Sequence, residues 1–278
     1  MTPEERNLEY EKRWRAGGLA FMGSFSDLTF DIKANKTAQD FVRRKIKEIV
    51  KDPDLSKLLS PHDIFGCKRL CLDSGYFQTF AKPHVNLVDI SSNPITSITH
   101  DGLLVNKREY EIDALVMATG FDAMTGALNR INIEGRQGIN LSEKWRAGPR
   151  TLLGLATAGF PNLFLVTGPG SPSVLSNMIP SIEQHVEWIS DCLDYLRNMG
   201  SSEIEAELSA ENSWVDHVNE VASKTLRYKC SSWYLGANIP GKTRVFMPYI
   251  GGMPNYVKKC DTVAAHGYEG FKIRSDVS

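Results

Sequence analysis

The stretch DALVMATGFDAMTGAL, residues 113–128, favours an α/β fold for this chain. Its apolar run at 114–119 is short and nearly continuous, which is typical of a strand buried on both faces of a sheet. We expect this strand to end at Thr119 and Gly120, where a glycine allows close approach to the backbone. Ligands of α/β folds bind beyond the carboxyl ends of strands. A plain exit from strand to loop explains the stretch equally well.

Two further apolar runs have the same character. The segments VNLVDI at 85–90 and NLFLVT at 162–167 predict buried strands. HDGLLVNKREYEID at 100–113 combines turn residues with alternation, and it predicts a hairpin. After the last of these strands, a long helix is expected to bury one apolar face and to end before Gly200. That face carries Ile179, Ile182, Val186, Ile189, Leu193 and Leu196.

Two helices are predicted near the beginning of the sequence. Thr2 and Glu5 form a capping box, with a proline at the first helical position. A second helix is expected to begin at Thr37 and to end before Pro53. It carries the basic cluster RRKIKEIVK at 43–51, which we interpret as its solvated face.

Composition narrows the class of protein. The chain has 278 residues, of which 42% are apolar and 23% charged, and this indicates a globular protein with two lobes. A formal net charge of -1 excludes bulk attraction to nucleic acid or to an anionic membrane. The first residues, MTPEERNLEYEKRWR, are too charged for a signal peptide, and no apolar run is long enough to span a bilayer. We therefore expect a cytoplasmic protein without nucleic-acid or membrane partners.

Several motifs of known chemistry are absent from the sequence. GPGSPS at 168–173 fails the G-x-G-x-x-G test at Ser173, and its two prolines lack amides that would bind phosphate. The six histidines and five cysteines show no metal-ligand spacing, so no metal site is predicted, and His185 is expected on the surface of its helix. No G-x-S-x-G nucleophile elbow is present.

Lys68 and Arg69 are two adjacent cations in the segment FGCKRLCLDSGYF at 65–77. If the segment is extended, consecutive side chains point to opposite faces. The two cations would then contact different anionic groups. A solvated strand edge explains the pair equally well.

Five stretches together resemble the C-terminal half of a Baeyer–Villiger monooxygenase, the family of the cyclohexanone, phenylacetone and steroid monooxygenases. They are GCKRLCLDSGYFQTF (66–80), DALVMATGFDAMTGAL (113–128), TAGFPNLFLVTGPGSPSVLSNM (157–178), SIEQHVEWI (181–189) and SWYLGANIPGK (232–242). The resemblance covers essentially the whole chain and implies an incomplete α/β flavoprotein with parts of two dinucleotide-binding domains. Those parts are the helical insertion of the NADP domain at 1–63, the C-terminal part of the NADP domain at 64–112 and the C-terminal part of the FAD domain at 113–278.

The sequence also departs from this family. Two G-x-G-x-x-G loops, for FAD and for NADP, and a fingerprint of the form F-x-G-x-x-x-H-x-x-x-W are expected in the family and are absent here. The resemblance therefore implies a chain that begins inside the helical insertion. Two alternatives follow: a truncated, non-catalytic fragment, or one half of a complementing pair that binds a separate N-terminal chain through open strand edges.

Site roles are carried over from the resemblance residue by residue. Arg69 matches the catalytic arginine, which also contacts NADP; its guanidinium stays charged at working pH. Lys68 matches the residue at the 2′-phosphate of NADP, and Trp233 a residue at the nicotinamide cofactor. Met178 matches a position whose backbone meets FAD. The substrate-pocket loop is matched by Ser173, Val174 and Leu175.

The activity that the resemblance implies uses FAD, NADPH and O2 to convert a small-molecule ketone into an ester or a lactone. A role in secondary-metabolite biosynthesis is a further expectation. Neither the ketone nor the oligomeric state follows from the sequence.

Overall fold

The computed structural model describes residues Met1–Ser275, and the chain divides into two compact units, Met1–Gly120 and Phe121–Ser278. The helices of the first unit are α1 Pro3–Ala16, α2 Ile32–Ile49, α3 Pro53–Leu59 and α4 Tyr76–Thr79. Those of the second are α5 Gly126–Asn129, α6 Leu141–Lys144, α7 Met178–Asn198, α8 Leu208–Ser223 and α9 Met253–Ala265. The strands are β1 Ile95–Ile98, β2 Gly102–Val105, β3 Arg108–Glu111, β4 Glu203–Ala206 and β5 Phe271–Arg274. Short 3₁₀ turns lie at Ala20–Gly23, Ser26–Thr29, Arg136–Gly138, Ser173–Leu175, Leu226–Lys229 and Trp233–Leu235.

The capping box of α1 is confirmed. The Thr2 hydroxyl accepts a hydrogen bond from the Glu5 amide at 3.2 Å, and the Glu5 carboxylate accepts one from the Thr2 amide at 2.8 Å. Gly17 follows the last residue with φ 72°, a conformation that glycine adopts at little cost. Local sequence alone determines both ends of this helix.

The predicted start of the second helix at Thr37 is wrong, because α2 begins at Ile32. The Asp31 side chain caps it by accepting from the amides of Lys33 and Ala34 at 2.7 and 2.8 Å. The Thr37 hydroxyl instead donates to the Ala34 carbonyl one turn back, at 2.7 Å. A threonine bonded in this way sits inside a helix, so the stronger carboxylate cap sets the boundary.

The first unit is built around an aromatic core. Tyr10 of α1 lies 5.2 Å from Phe21 and 5.2 Å from Phe41 of α2, measured between ring centroids. Phe21 is in turn 5.3 Å from Phe65 in an edge-on arrangement. Aromatic pairs at such distances contribute about 0.5–1.5 kcal/mol beyond area burial. This core fixes α2 against the loop that carries Lys68.

The hairpin predicted at 100–113 is confirmed. β2 and β3 pair antiparallel, with Gly102 opposite Glu111 and Val105 opposite Arg108. The two connecting residues, Asn106 and Lys107, both have positive φ, as the tight two-residue turn requires. β1 adds a third strand on the other side of β2.

The strands predicted at 85–90, 114–119 and 162–167 are wrong for this chain. None of these segments joins a ladder in the described residues, and the first two are largely exposed, with Val116 85% and Met117 67% accessible. Apolar side chains set the environment that a segment favours, but a strand forms only where a second backbone accepts its hydrogen bonds. The third segment makes single backbone bonds instead, including Leu165 N–H to the Leu155 carbonyl at 2.8 Å.

The second unit packs α7, α8 and α9 around a core that includes Trp188, Trp214 and Tyr256. β4 and β5 pair antiparallel beside this core. Within 201–275 the chain forms two further helices, α8 and α9. No helix within the described range is both long enough and apolar enough to cross a lipid bilayer.

The apolar face predicted for α7 is correct only in part: Leu196 is buried and Ile189 packs against the core, but other members of the face are exposed. Ile179, Val186 and Leu193 are 62%, 48% and 47% exposed. The buried positions are Ser181, His185, Trp188, Cys192 and Leu196. The helix is turned toward these residues because their polar atoms find partners inside the unit, as His185 shows below.

Candidate functional site

A groove of about 750 Å³ crosses the first unit between α1, α2 and the segment that follows Pro61. Trp14, Phe21 and Ile46 contribute apolar surface to it. Lys68 and Arg69 line the same groove, and both side chains are exposed. The structure therefore places the two predicted cations beside an apolar groove large enough for a small organic ligand.

The segment around Lys68 is a loop with turns and not the extended strand that the facing argument assumed. Gly66 has φ 76°, a left-handed value that breaks an extended run. Lys68 Nζ lies 2.7 Å from Asp63 Oδ2, and both side chains are about half exposed. An anion arriving at Lys68 would share this ammonium with the Asp63 carboxylate.

The fully buried Asn35 holds this loop in place, and the sequence interpretation missed it. Its side-chain amide donates to the carbonyls of Leu28 at 2.8 Å and Phe65 at 2.9 Å. Its carbonyl accepts from the Phe65 amide, also at 2.9 Å. A helix-borne amide that bonds a distant backbone on both sides fixes the start of the Lys68 loop. Asn35 and Phe65 are 30 residues apart, so no local sequence pattern indicates this contact.

In the second unit, the loop that enters Ser173 is held at several points. Gly170 N–H donates to the Met247 carbonyl at 2.7 Å, and Tyr249 N–H donates to the Ser171 carbonyl at 2.7 Å. The Trp214 indole donates to the Gly170 carbonyl at 3.0 Å. A loop fixed by bonds from two other segments is preorganised, which suits a surface that positions a ligand.

Ser173 lies between two methionines. It is buried, has φ 41°, and its Oγ is 3.8 Å from Met124 Sδ and 3.9 Å from Met178 Sδ. Positive φ at a non-glycine residue costs of order 1–3 kcal/mol and persists only where the surroundings impose it. Met178 is the first residue of α7, and Asn177 caps that helix.

Val174, Leu175 and Trp233 pack on one apolar cluster. The cluster is built on Tyr234 and Phe246 together with Ala222 and Leu235. The residues predicted in this unit therefore lie in one neighbourhood: the loop 173–175, Met178 beside it and Trp233 on the shared cluster.

His185 is wholly buried, contrary to the expected surface position. Its Nδ1 accepts from the Thr167 amide at 2.9 Å, and its Nε2 lies 2.8 Å from the Tyr256 hydroxyl. Tyr256 donates onward to the Leu153 carbonyl at 2.6 Å. Burial lowers the pKa of His185 from 6.5 to about 4, offset in part by a contact with the Leu165 carbonyl. The neutral ring links α7 to α9 through Tyr256 and to the segment before Ser173 through Thr167.

This burial predicts a pH dependence of stability. Because the pKa is lower in the folded chain than in the unfolded chain, the unfolded chain binds more protons between the two values. The stabilisation is complete above about pH 6.5 and declines as pH falls toward 4, by about 3 kcal/mol in total. Urea unfolding of wild type and of His185→Gln across this range should show the decline in wild type and a flatter profile in the variant. Equal profiles would contradict the assignment, and His266→Gln, on an exposed ring, is the control.

Glu211 of α8 is a second buried polar residue that the sequence did not indicate. Its Oε2 accepts from Lys144 Nζ at 2.8 Å, from the Thr157 hydroxyl at 3.0 Å and from the Ala158 amide at 2.7 Å. Arg150 Nε lies 3.7 Å from its Oε1. The carboxylate joins α8 to α6 and to the segment that precedes the Ser173 loop.

Known proteins match the chain along its full length. Cyclohexanone 1,2-monooxygenase of Acinetobacter sp is 40% identical, over 100% of this chain and 52% of its own length. Phenazine N-monooxygenase PhzNO1 of Lysobacter antibioticus is 41% identical, over 100% of this chain and 51% of its own. The solved structure of an oxidized steroid monooxygenase bound to NADP is 45% identical and superimposes with a TM-score of 0.91, over 99% of this chain and 52% of its own. No family model matches the sequence.

These matches define the class: the fold is that of flavin monooxygenases, as part of a flavoprotein with two dinucleotide-binding domains. Within that class the chain belongs to the Baeyer–Villiger monooxygenase family, as the sequence resemblance indicated. The chain spans about half the length of the curated relatives that it matches.

Proposed function

We propose that this chain supplies the catalytic arginine and the substrate loop of an FAD- and NADPH-dependent Baeyer–Villiger monooxygenase, an oxidoreductase that converts a ketone into an ester or lactone with O2. The observation that carries the proposal is the match along the full length of the chain to monooxygenases at 40–45% identity. The proposed setting is cytoplasmic and in secondary-metabolite biosynthesis. The proposed division is into NADP-domain insertion (1–63), NADP-domain remainder (64–112) and FAD-domain part (113–278). A break between two compact units after Gly120 supports a boundary near the last of these divisions.

The residues present fit part of each cofactor. The groove of the first unit offers two exposed cations at an apolar wall, which suits a phosphate attached to an aromatic body. The Ser173 loop offers preorganised backbone beside Met178, at the start of α7. Glycine-rich phosphate loops are absent from the 278 residues, so other chain segments would hold both pyrophosphates. FAD, once reduced by NADPH, supplies the oxygen-activating chemistry.

Arg69 would stabilise negative charge that develops during oxygen transfer. A guanidinium is suited to this because it neither loses its proton at working pH nor donates it to the anion. Fixed donors aimed at developing charge typically contribute about 3–4 kcal/mol. The side-chain amide of Asn35, a buried residue of α2, anchors the loop of Arg69 by binding the backbone of Phe65. The position of the guanidinium therefore depends on this amide.

Ser173, Val174 and Leu175 would orient the ketone and exclude water. The serine contributes a hydroxyl next to two soft thioethers, and the next two residues contribute apolar surface continuous with Trp233. Because the loop is bonded to two other segments, little conformational entropy is lost when a substrate packs against it.

The proposal is tested by complementation. This chain is co-expressed with the half of cyclohexanone monooxygenase that it does not match, and the complex is examined for flavin absorbance, NADPH oxidation and product. Ketone and phenazine panels distinguish ester from N-oxide, since one relative is a phenazine N-monooxygenase. Ester or lactone from a ketone is the expected result. A coloured, NADPH-oxidising complex that gives only N-oxide would overturn the ketone assignment.

Lys68→Ala is expected to reduce the preference of the complex for NADPH over NADH. The ammonium at the rim of the groove would otherwise pair with the extra phosphate of NADPH as a mobile point charge. The change is measured as kcat/KM for each cofactor. The value for NADPH should decrease, and the value for NADH should stay the same. Lys107→Ala, in the exposed hairpin turn, removes an equal charge and serves as control. An unchanged ratio of kcat/KM for NADPH to kcat/KM for NADH would contradict the role proposed for Lys68.

A second candidate function is supported by the exposed apolar stretch at 114–121. Val116 and Phe121 are 85% and 88% exposed, although the pattern is that of a buried strand. In this second proposal the chain is one member of a complementing pair and binds a separate chain that contains the glycine-rich loops. Val116→Asp should then abolish co-purification with that chain while leaving the helices intact by circular dichroism. Undiminished co-purification would exclude this surface.

A further inference from the structure

A pocket of about 560 Å³ lies between the end of α2 and α3, and its lining is strongly basic. Nine residues line it, namely Arg43, Lys47, Val50, Lys51, Pro53, Ser56, Lys57, Ser60 and His62. Four of them are lysine or arginine and a fifth is a histidine, whereas no carboxylate is among them. The basic cluster interpreted as a solvated face therefore forms one wall of a concave site.

The three lysines of this pocket differ in their ion pairs from Arg43, which lies 3.7 Å from Asp40, and from two other cations of α2. Lys45 lies 2.7 Å from Glu11, and Arg44 lies 4.0 Å from Glu48. Lys47, Lys51 and Lys57 form no salt bridge with any residue in the range 1–275. Arg43 and Lys47 are four positions apart on one face of α2, and Lys51 follows the end of that helix, so like charges repel across the pocket. An anion bound between them would remove that repulsion.

Two further groups are placed to bind an oxyanion. The Ser56 side chain is 1% exposed, lines the pocket, and its hydroxyl has no hydrogen-bond partner among the described residues. A buried hydroxyl without a partner carries a desolvation cost that a ligand oxygen would relieve. The Arg43 guanidinium is oriented by two hydrogen bonds to the Pro61 carbonyl, at 3.1 and 2.9 Å.

We propose that this pocket binds a small, multiply charged oxyanion of the phosphate class, such as pyrophosphate or a phosphate monoester. Lysine and arginine side chains together with a hydroxyl donor are the groups that bind phosphate oxygens. The volume suits a small ligand. The pocket uses a different face of α2 from the groove of Lys68, which is lined by Gln39, Val42, Ile46 and Ile49 of that helix.

Titration calorimetry of the full chain with sodium pyrophosphate tests this inference. Wild type should bind one equivalent, and Lys51→Ala/Lys57→Ala should weaken binding by about tenfold or more. The control Lys33→Ala/Lys36→Ala removes two exposed lysines from the first turns of α2 and should leave affinity nearly unchanged. Ser56→Ala should weaken binding without a change in net charge. Circular dichroism verifies that each variant is folded.

Three results would overturn the inference. Wild type could give no binding heat, or the two double variants could weaken binding equally, which would indicate non-specific attraction to surface charge. Loss of binding in Lys68→Ala would instead place the pyrophosphate in the groove of the first unit. Retained binding in Lys68→Ala keeps this inference independent of the proposed enzyme function.

Discussion

Replacing Glu211 with alanine is expected to lower the free energy of unfolding by about 3–5 kcal/mol. The carboxylate is wholly buried, and its Oε2 accepts three hydrogen bonds, one of them from Lys144. Lys144 is itself only 15% exposed in its side chain, so the variant leaves an ammonium with little water and no carboxylate. Breaking one partner of a buried pair costs more than the pair itself contributes.

Urea unfolding followed by tryptophan fluorescence measures this effect, since Trp214 lies on the same helix. Glu211→Gln keeps the shape and one acceptor oxygen, and it should lie between wild type and alanine. The matched control is Glu220→Ala, because Glu220 is an exposed residue of α8 that pairs with Lys224 at 2.7 Å. Its midpoint should stay close to wild type. A Glu211→Ala midpoint equal to that of Glu220→Ala would show that the buried pair adds no stability.

Arg69→Ala is expected to reduce product formation by about 10²–10³-fold in the complemented enzyme, while reduction of FAD by NADPH largely persists. The reason is that Arg69 is proposed to stabilise charge that develops only after oxygen has reacted. Removing such an interaction lowers kcat and kcat/KM together. Stopped-flow measurement of flavin reduction and chromatographic measurement of product separate the two steps.

Two variants make the Arg69 experiment specific. Arg108→Ala removes an arginine from the exposed strand β3 of the same unit and should retain full activity. Arg69→Lys keeps the charge but loses the planar, always-protonated guanidinium, and only partial recovery is expected. Ester formation in Arg69→Ala at the wild-type rate would refute the catalytic role.

Features set by neighbouring residues were predictable from sequence. The Thr2 capping box and the hairpin within 100–113 need only contacts within a few positions, and both formed as expected. The start of α2 was predicted wrongly at Thr37, because Asp31 caps the helix and Thr37 lies inside it. Local chemistry therefore predicts that an element exists better than it predicts where it begins.

The orientation of α7 could not be predicted in this way. Its isoleucines form a regular stripe, yet the buried face includes Ser181 and His185. What decides the orientation is the Tyr256 hydroxyl, 71 positions further along, which satisfies the imidazole. A prediction from hydrophobic periodicity places polar residues toward water. It fails where a buried hydrogen-bond network satisfies polar side chains inside the protein.

The sequence by itself determined the family, the hairpin, the cap of the first helix and the identity of the residues proposed for catalysis. These depend on residue order, which homologous chains share. Tertiary structure alone decided that Lys68 pairs with Asp63, that Ser173 lies between Met124 and Met178, and that His185 and Glu211 are buried. Each of these depends on where distant segments of the chain meet. The contact between distant segments determines how deeply a side chain is buried and which charges surround it. These in turn set the pKa of the side chain, which its neighbours in sequence do not determine.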